Sequence, residues 1–209
     1  MNIAAAAEPP RIAKGERTAA RILDVAEELF AQNGFAGTSL RDIAEQVGIR
    51  QPGLYRHFTG KDDLYRQVFE RALRPLFDLM DGLLAVPDAP TVPDDLTDRL
   101  TDLLALHPNI ARLLMRAATG PANETDEIAA QWLGQLMGYG RQLTRWAGYE
   151  VDDAALALHV LAVFNLLVGY FAAAPLVARL TSSDGTAPAL LAVQKRLVTG
   201  LVASFREPR

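Results

Sequence analysis

Residues 48–58, GIRQPGLYRHF, crowd polar side chains into one short stretch of a chain that is otherwise rich in alanine and leucine. The side chains are those of Arg50, Gln51, Tyr55, Arg56 and His57. Such groups cost free energy when they are buried without partners, so a helix that carries them holds them toward solvent or toward a polar partner. Arg and Gln can form paired hydrogen bonds to purine edges, and Tyr and His can reach a base or a phosphate. The stretch therefore has the chemistry of DNA recognition, with a solvated helix face as the alternative.

Two helices are predicted before this stretch, and both would position it. Apolar residues recur at spacings of three and four from Ala19 to Phe30, which indicates an amphipathic helix that ends at Asn33-Gly34. Ser39, with Asp42 three residues later, is typical of a capping box and predicts a second, short helix that Gly48 ends. The polar stretch then follows a tight glycine turn.

The third helix is predicted to begin near Arg50 or Gln51. Pro52 is tolerated there because the first turn of a helix has no internal partner for the missing N–H. Leu54 and Phe58 are four residues apart and face inward, which leaves the polar side chains outside. Two short helices joined by a tight glycine turn are typical of a helix-turn-helix, whose second helix enters the major groove. Gly53 would allow the backbone to approach the duplex closely.

Composition limits the other function classes. The net charge of −4 hides an asymmetry: residues 1–61 have eight Lys or Arg against seven Asp or Glu, and the remainder is acidic. The chain has no cysteine, and its three histidines are far apart, which argues against a zinc site. No serine nucleophile elbow, phosphate-binding glycine loop or telling carboxylate pair is present. We therefore expect no enzyme activity, no catalytic residues, no metal and no cofactor.

Residues 18–70, from TAARILDVAEELF to DLYRQVFE, resemble the DNA-binding end of TetR-family transcriptional regulators. The matching positions include Ala26, Phe30, Gly34, Thr38, Ile43, Ala44, Gly48, Leu54, Tyr55, Phe58, Lys61 and Leu64. The resemblance implies base or phosphate contacts from Gln51, Pro52, Tyr55 and His57, and phosphate contacts from Thr38 and Lys61. Many members have Ser where this chain has Arg50, so the usual side-chain cap is missing, and Gly53 replaces a frequent Thr. The full set of expected DNA contacts is Thr38, Ser39, Arg50, Gln51, Pro52, Gly53, Tyr55, Arg56, His57 and Lys61.

The rest of the chain is predicted to be helical. A long helix opens at Asp62-Asp63 and contains Pro75, which marks either a joint between two parts of the protein or a packing kink without a regulatory role. Further helices are predicted over 96–106, 109–118, 125–147 and 152–174, the last stopped by Pro175, and a final one begins near Pro188. The fold class is therefore all-α with about nine helices. The predicted organisation is a flexible arm (1–15), a DNA-binding domain (16–61) and a helical ligand-binding and dimerisation domain (62–209).

Residues 154–174 are apolar for a length that approaches a membrane span. His159 and Asn165 interrupt the stretch, and Asp152 and Asp153 flank it without a basic cluster. We favour a core or subunit-interface helix in a cytoplasmic protein that does not enter a membrane, with a membrane-attached sensor that carries a DNA-binding head as the alternative.

The resemblance also implies self-association and a small-molecule site. TetR-family proteins dimerise through their last two long helices, and a two-fold dimer would read two half-sites of one palindromic operator. The expected dimer residues are Leu161, Phe164, Val168, Phe171, Val193, Leu197 and Leu201. The expected ligand residues are Leu103, His107, Met115, Arg116, Trp132, Gln135, Tyr139 and Asn165. A small hydrophobic effector would shift the conformers and release double-stranded DNA, with activation of transcription as the alternative to repression.

Overall fold

A computed structural model describes residues 14–85, 93–119, 126–148 and 151–205. The described part of the chain is all helical, as predicted, and contains ten helices instead of about nine. They are α1 (Lys14–Asn33), α2 (Leu40–Val47), α3 (Gln51–Leu54), α4 (Lys61–Leu84), α5 (Leu96–Leu106), α6 (Pro108–Thr119), α7 (Asp126–Trp146), α8 (Asp153–Ala172), α9 (Ala174–Thr181) and α10 (Pro188–Ser204). Most of the predicted N-terminal arm lies outside the described residues.

The helix signals at α2 are confirmed. The Ser39 side chain accepts a hydrogen bond from the backbone N–H of Asp42 at 3.1 Å, and the Asp42 carboxylate accepts one from the backbone N–H of Ser39 at 3.0 Å. These bonds hold the pKa of Asp42 below its usual value, the Ser39 side chain being the largest cause. Gly48 ends the helix at φ +80°, in the left-handed region that favours glycine. Helix α2 is therefore capped at both ends.

The first three helices share one apolar core with the start of α4. Phe30, Ile43, Leu54 and Leu64 come from four different helices, and none of them is exposed. Tyr65 contacts the edge of Phe30 at a ring-centroid distance of 4.9 Å, and burial raises its pKa to about 12. The first three helices are thus packed onto α4 through one apolar core.

The C-terminal helices pack around α8. Leu156, Leu167, Val168 and Phe171 of α8 are at most 5% exposed and face α5, α6, α7 and α10. Helix α4 runs without interruption from Lys61 to Leu84 through Pro75. The proposed joint at Pro75 remains a prediction.

Helix α8 ends at Ala172, slightly earlier than the helix predicted over 152–174. The chain is again helical around Pro175. A separate helix, α9, begins at Ala174 and holds Pro175 in its first turn. Proline is favoured at that position because its fixed φ suits a helix start and its missing N–H has no partner to lose. The proline that was interpreted as a stop therefore also marks the start of α9.

Candidate nucleic-acid interface and effector cavity

Helix α3 ends at Leu54, so the polar side chains lie on α3 and on the turn at residues 55–57, which two apolar anchors hold to the core. Leu54 is 0% exposed and Phe58 is 2% exposed, and both belong to the core. Tyr55, between them in sequence, is 53% exposed, and Gln51 and Arg56 are exposed as well. Because the anchors hold the backbone, the three polar side chains project from a fixed surface into solvent.

The first turn of α3 is closed by a backbone hydrogen bond. Arg50 is its N-cap residue and forms no side-chain cap hydrogen bond, but the backbone N–H of Gly53 donates to the Arg50 carbonyl oxygen at 2.8 Å. Pro52 has no backbone N–H. Exposed Pro52 lies in the first turn. A Cβ atom at Gly53 would meet nothing closer than the Cδ1 atom of Ile49 at 3.8 Å, so glycine there is not required by internal packing.

Thr38 is the exception among the expected DNA contacts. Its side chain is 2% exposed, and its hydroxyl lies 2.9 Å from the carbonyl oxygen of Gly34 and 3.2 Å from that of Leu29. The hydroxyl therefore holds the connection between α1 and α2 together, and the phosphate contact expected from this side chain is not supported. Exposed Ser39 is already engaged as the cap of α2.

Lys61 lies at the start of α4, next to the aromatic cluster. Its Nζ atom is 4.2 Å from the ring centroid of Phe35, and Phe35 in turn contacts Tyr65. A cation over an aromatic face is attracted by the ring and is held in one place without an acidic partner. His57, by contrast, is half buried beside Phe58, with a ring-centroid distance of 6.3 Å.

A cavity of about 280 Å³ lies between α4, α5, α6, α7, α8 and α10. Its wall is mainly apolar, with leucines from five of these helices and with Val160, Val163 and Phe164 of α8. Among the residues that line it in the described part of the chain, Asp94 is the only Asp, Glu, Lys or Arg, and it is exposed. Apolar cavities of this kind hold small molecules through shape and a few polar groups.

Most polar groups of the cavity wall already have partners. The hydroxyls of Thr97 and Thr199 are 2.8 Å apart, and the Thr144 hydroxyl donates to the Arg141 carbonyl oxygen at 3.0 Å. The Tyr139 hydroxyl donates to Asp81 at 2.8 Å, and its pKa is raised to about 12, first by burial and then by Asp81.

Of the eight expected ligand residues, only Tyr139 lines the cavity. Leu103 and Met115 are half buried outside the wall, and Trp132 is 3% exposed and stacks on Phe164 from behind. His107, Gln135 and Asn165 are exposed, and Asn165 donates to the carbonyl oxygen of Leu161.

Sequence reasoning missed His159 and Phe205, which line the cavity and stack on each other at a ring-centroid distance of 4.0 Å. Only the interruption of an apolar helix by His159 signalled this position.

Arg116 connects the cavity's helices to the DNA-binding helices. Its Nε atom donates to the carbonyl oxygen of Ala31 at 2.9 Å, and Nη2 donates to that of Gln32. These carbonyls belong to the last turn of α1, where a helix has no internal donors and carries partial negative charge. Leu114, two residues earlier on the same helix, lines the cavity. Arg116 therefore joins α6 to the end of α1, and with Met115 it also lines a second, separate pocket. Its assignment to the ligand site remains a prediction.

The expected dimer residues fall into two groups. Leu161, Val193 and Leu197 are 52%, 43% and 54% exposed on α8 and α10, and Leu158 joins them at 66%. Phe164 and Val168 instead line the cavity, and Phe171 is buried within the chain. Leu201 is half buried. The exposed group comes from two helices that pack on each other, and we call it the α8/α10 face; the buried residues do not belong to it.

The described ranges were considered for metal-ligating groups and for helices that could span a membrane. No group of three or more His, Asp or Glu side chains that could hold a metal ion is found there. Helix α8 is long and apolar enough to cross a membrane by length and composition alone. The core helix of a soluble protein satisfies the same criterion, and α8 is packed against α5, α6, α7 and α10.

The chain is similar to a known family of proteins over its N-terminal helices and to individual relatives over longer stretches. Residues 22–68 match the family model described as bacterial regulatory proteins, tetR family. An HTH-type transcriptional regulator of Haemophilus influenzae is 26% identical over 166 residues, which cover 75% of this chain and 81% of that protein. The HTH-type transcriptional repressor SCO4008 of Streptomyces coelicolor is 32% identical over 99 residues, which cover 47% of this chain and 48% of that repressor. The alignment thus spans about half of the repressor's length.

The fold is also found among solved structures. A TetR-family transcriptional regulator from Bordetella parapertussis aligns with 90% of this chain, and the aligned part is 95% of that chain. The TM-score is 0.68 at 16% sequence identity, which demonstrates a shared fold.

Proposed function

This chain belongs to the TetR family of DNA-binding transcriptional regulators, and from that premise we propose that it is a cytoplasmic repressor. It binds a palindromic operator as a homodimer and leaves it when a small hydrophobic effector enters the cavity. Regulators of this family are soluble DNA-binding proteins and are generally not enzymes. We extend both properties to this chain.

The observation that carries the proposal is the outer face of α3. Gln51, Tyr55 and Arg56 project from α3 and from the turn that follows it, which Leu54 and Phe58 anchor. A helix of this length contacts few base pairs, so one copy provides little affinity, whereas two copies read half-sites about one helical turn apart. A phosphate contact from Lys61 would fix the register on the duplex.

The α8/α10 face supports the dimer. Leu158, Leu161, Val193 and Leu197 come from two helices that pack on each other, and each is at least 43% exposed. Exposed apolar surface of this kind marks interaction sites in soluble proteins. A two-fold interface formed from the same face of both chains would exclude water from these leucines and place two α3 helices on one side of the dimer.

The route from cavity to DNA passes through α6 and α4. Helix α6 supplies Leu114 to the cavity and Arg116 to α1, while α4 supplies Leu76 and Met80 to the cavity and packs on α1 with its other end. A ligand that binds one arrangement of these helices more tightly than another shifts the population toward it. The spacing of the two α3 helices then no longer matches the operator, and affinity falls.

Selection of bound sequences from random duplex DNA tests the proposal directly. We expect enrichment of a two-fold symmetric site, with two chains bound per duplex. Enrichment of a single half-site by one chain would contradict the dimer, and no enrichment at low salt would contradict DNA recognition by this chain. Insertion of the selected site between a promoter and a reporter gene then separates repression from activation.

The membrane-attached sensor is the second candidate because α8 has the length and apolarity of a span. Release of the full-length protein into detergent-free buffer, followed by sedimentation, distinguishes the two. The repressor stays in the supernatant as a dimer, and the sensor is recovered with the membrane fraction.

A further inference from the structure

Four cationic side chains lie between the start of α2 and the first residue of α4, and two of them have partners. Arg41 on α2 forms an ion pair with Glu45 at 2.9 Å, and Lys61 lies over an aromatic ring at 4.2 Å. Arg50 and Arg56 are exposed, and neither side chain forms a hydrogen bond or an ion pair with another described residue. Their guanidinium groups are therefore available to a molecule that approaches this surface.

The Arg50 side chain has no role in the helix that it precedes. Arg50 is the N-cap residue of α3, with φ −79° and ψ 146°. A side chain that caps a helix accepts a hydrogen bond from the first backbone N–H groups, whereas a guanidinium group has donors and no acceptor. The absence of a side-chain cap hydrogen bond at Arg50 agrees with this chemistry. A contact with another molecule would therefore cost α3 no internal bond.

The backbone on both sides of Arg50 is held by hydrogen bonds. The N–H of Ile49 donates to the Ala44 carbonyl oxygen at 2.9 Å, and the N–H of Gly53 donates to the Arg50 carbonyl oxygen at 2.8 Å. Leu54, at the end of α3, is not exposed. The Cα atom of Arg50 is thus fixed relative to the core, so binding restricts little more than the rotamers of its own side chain.

Position within the motif separates base contacts from phosphate contacts. In a helix-turn-helix the first helix crosses the DNA backbone, and residues at the start of the second helix contact base edges. Arg41 lies on the first of these helices, and Arg56 lies beyond Leu54, the last residue of α3. These two side chains suit phosphate contacts, while Arg50, at the start of the second helix, suits a base contact.

The donors of arginine match one base in the major groove. A guanidinium group has five N–H donors in one plane and no acceptor. Guanine presents two acceptors, N7 and O6, whereas adenine presents one acceptor and one donor, cytosine a donor, and thymine an acceptor beside a methyl group. We propose that Arg50 binds a guanine in each half-site of the operator through two hydrogen bonds, to N7 and O6. This inference rests on the proposed function, since it names the base that the same surface recognises.

Selection from random duplex DNA with full-length wild type, Arg50→Ala and Arg56→Ala locates the base. Arg56→Ala is the matched control, because Arg56 is also exposed and has no described partner. Wild type and Arg56→Ala are expected to share a guanine in each half-site that Arg50→Ala no longer selects. Absence of such a guanine from the wild-type site, or its retention by Arg50→Ala, would overturn the proposal. Loss of the same guanine in Arg56→Ala would overturn it as well.

Fluorescence anisotropy then measures the discrimination. Four duplexes carry the four possible base pairs at this position of one half-site and are otherwise identical. Wild type should bind the guanine duplex about tenfold or more tightly than the others, the scale of one bidentate contact. Arg50→Ala should bind all four equally. Arg56→Ala should keep the preference, bind all four more weakly and show a salt slope reduced by about one per chain. An equal preference for guanine in wild type and Arg50→Ala would contradict the assignment.

A modified base tests the hydrogen bond without a change of the protein. 7-Deazaguanine carries a C–H group in place of N7 and still pairs with cytosine. At the position of the guanine it should weaken binding of wild type by about fivefold, the scale of one hydrogen bond, and leave binding of Arg50→Ala unchanged. Equal affinity of wild type for the two duplexes would contradict the contact, even if Arg50→Ala failed to fold.

The same data separate failure of this inference from failure of the proposed function. If wild type selects a two-fold symmetric site whose bases do not depend on Arg50, other side chains read the operator and only the base assignment is wrong. If wild type selects no sequence, the proposed function is wrong and this inference fails with it.

Discussion

Replacement of Arg116 by Met removes the contact between α6 and the end of α1 and keeps most of the apolar stem of the side chain. Two hydrogen bonds from a charged donor to the Ala31 and Gln32 carbonyls are lost. Bonds to charged groups contribute about 1.5–3 kcal/mol each, and a cation at a helix C-terminus adds about 0.3–1 kcal/mol. The lower ends of these ranges give about 3.3 kcal/mol. Because Arg116 and Gln32 are exposed, solvent screening reduces this value, and we expect the free energy of unfolding to fall by about 2 kcal/mol.

Equilibrium unfolding in urea, followed by circular dichroism at fixed protein concentration, measures this difference. Arg112→Met is the matched control: it lies one turn earlier on α6, and its hydrogen bond to Asn109 is a long contact of 3.5 Å. We expect that variant to lose less than about 0.5 kcal/mol, the usual range for surface substitutions. Equal stability of the two variants would refute the role that we assign to Arg116.

The contact also bears on regulation. If α6 transmits cavity occupancy to α1, the ratio of operator affinities with and without effector should be smaller in Arg116→Met than in Arg112→Met. An unchanged ratio would mean that the signal travels through α4 alone.

Three other predictions concern the turn, the cap and the dimer. Gly48→Ala should lower the free energy of unfolding by about 1 kcal/mol, because φ is +80° there and alanine is strained in that conformation. Gly53→Ala is the control, since a Cβ has room at that position. An equal loss of stability in both variants would show that the positive φ is not the cause. The pKa of Asp42 is lowered in the folded state, so its stabilising effect is present at neutral pH and is lost as the pH falls through that pKa. The difference in urea midpoint between wild type and Asp42→Asn should therefore shrink in acid, and a constant difference would exclude the charge as its cause. Leu197→Asp places a charge on the α8/α10 face and should give monomers in sedimentation with unchanged helix content, while a dimer of wild-type stability would show that this face is not the interface.

The sequence predicted the DNA-binding helices well because their signals are local. Ser39 and Asp42 are three residues apart, Gly48 follows at the end of the same short helix, and the two anchors of α3 are four residues apart. Each signal acts within one turn of a helix, so the chain reveals it without knowledge of distant contacts. The burial of Thr38 escaped notice because it depends on Leu29, which is nine residues away in a different helix.

The cavity could not be predicted in the same way. Its wall combines residues from six helices, and which face of each helix turns inward depends on packing between segments that are far apart in the sequence. The sequence placed Trp132 in the ligand site and Phe164 in the dimer interface, whereas Phe164 lines the cavity and Trp132 stacks on it from outside the wall. Arg116 resembled a ligand residue because its partners, 84 and 85 residues away, are backbone carbonyls that leave no mark in the sequence.

Titration of the selected operator with wild type and with Gln51→Ala, at several salt concentrations, tests the central claim most directly. Gln51 is expected to contact base edges, so its loss should weaken specific binding by about 1–3 kcal/mol at every salt concentration and leave the slope of log affinity against log salt unchanged. Gln142→Ala, on the exposed surface of α7, serves as the control and should bind like wild type. If Gln51→Ala binds the operator and a scrambled duplex with the affinities of wild type, α3 does not read DNA and the account is wrong.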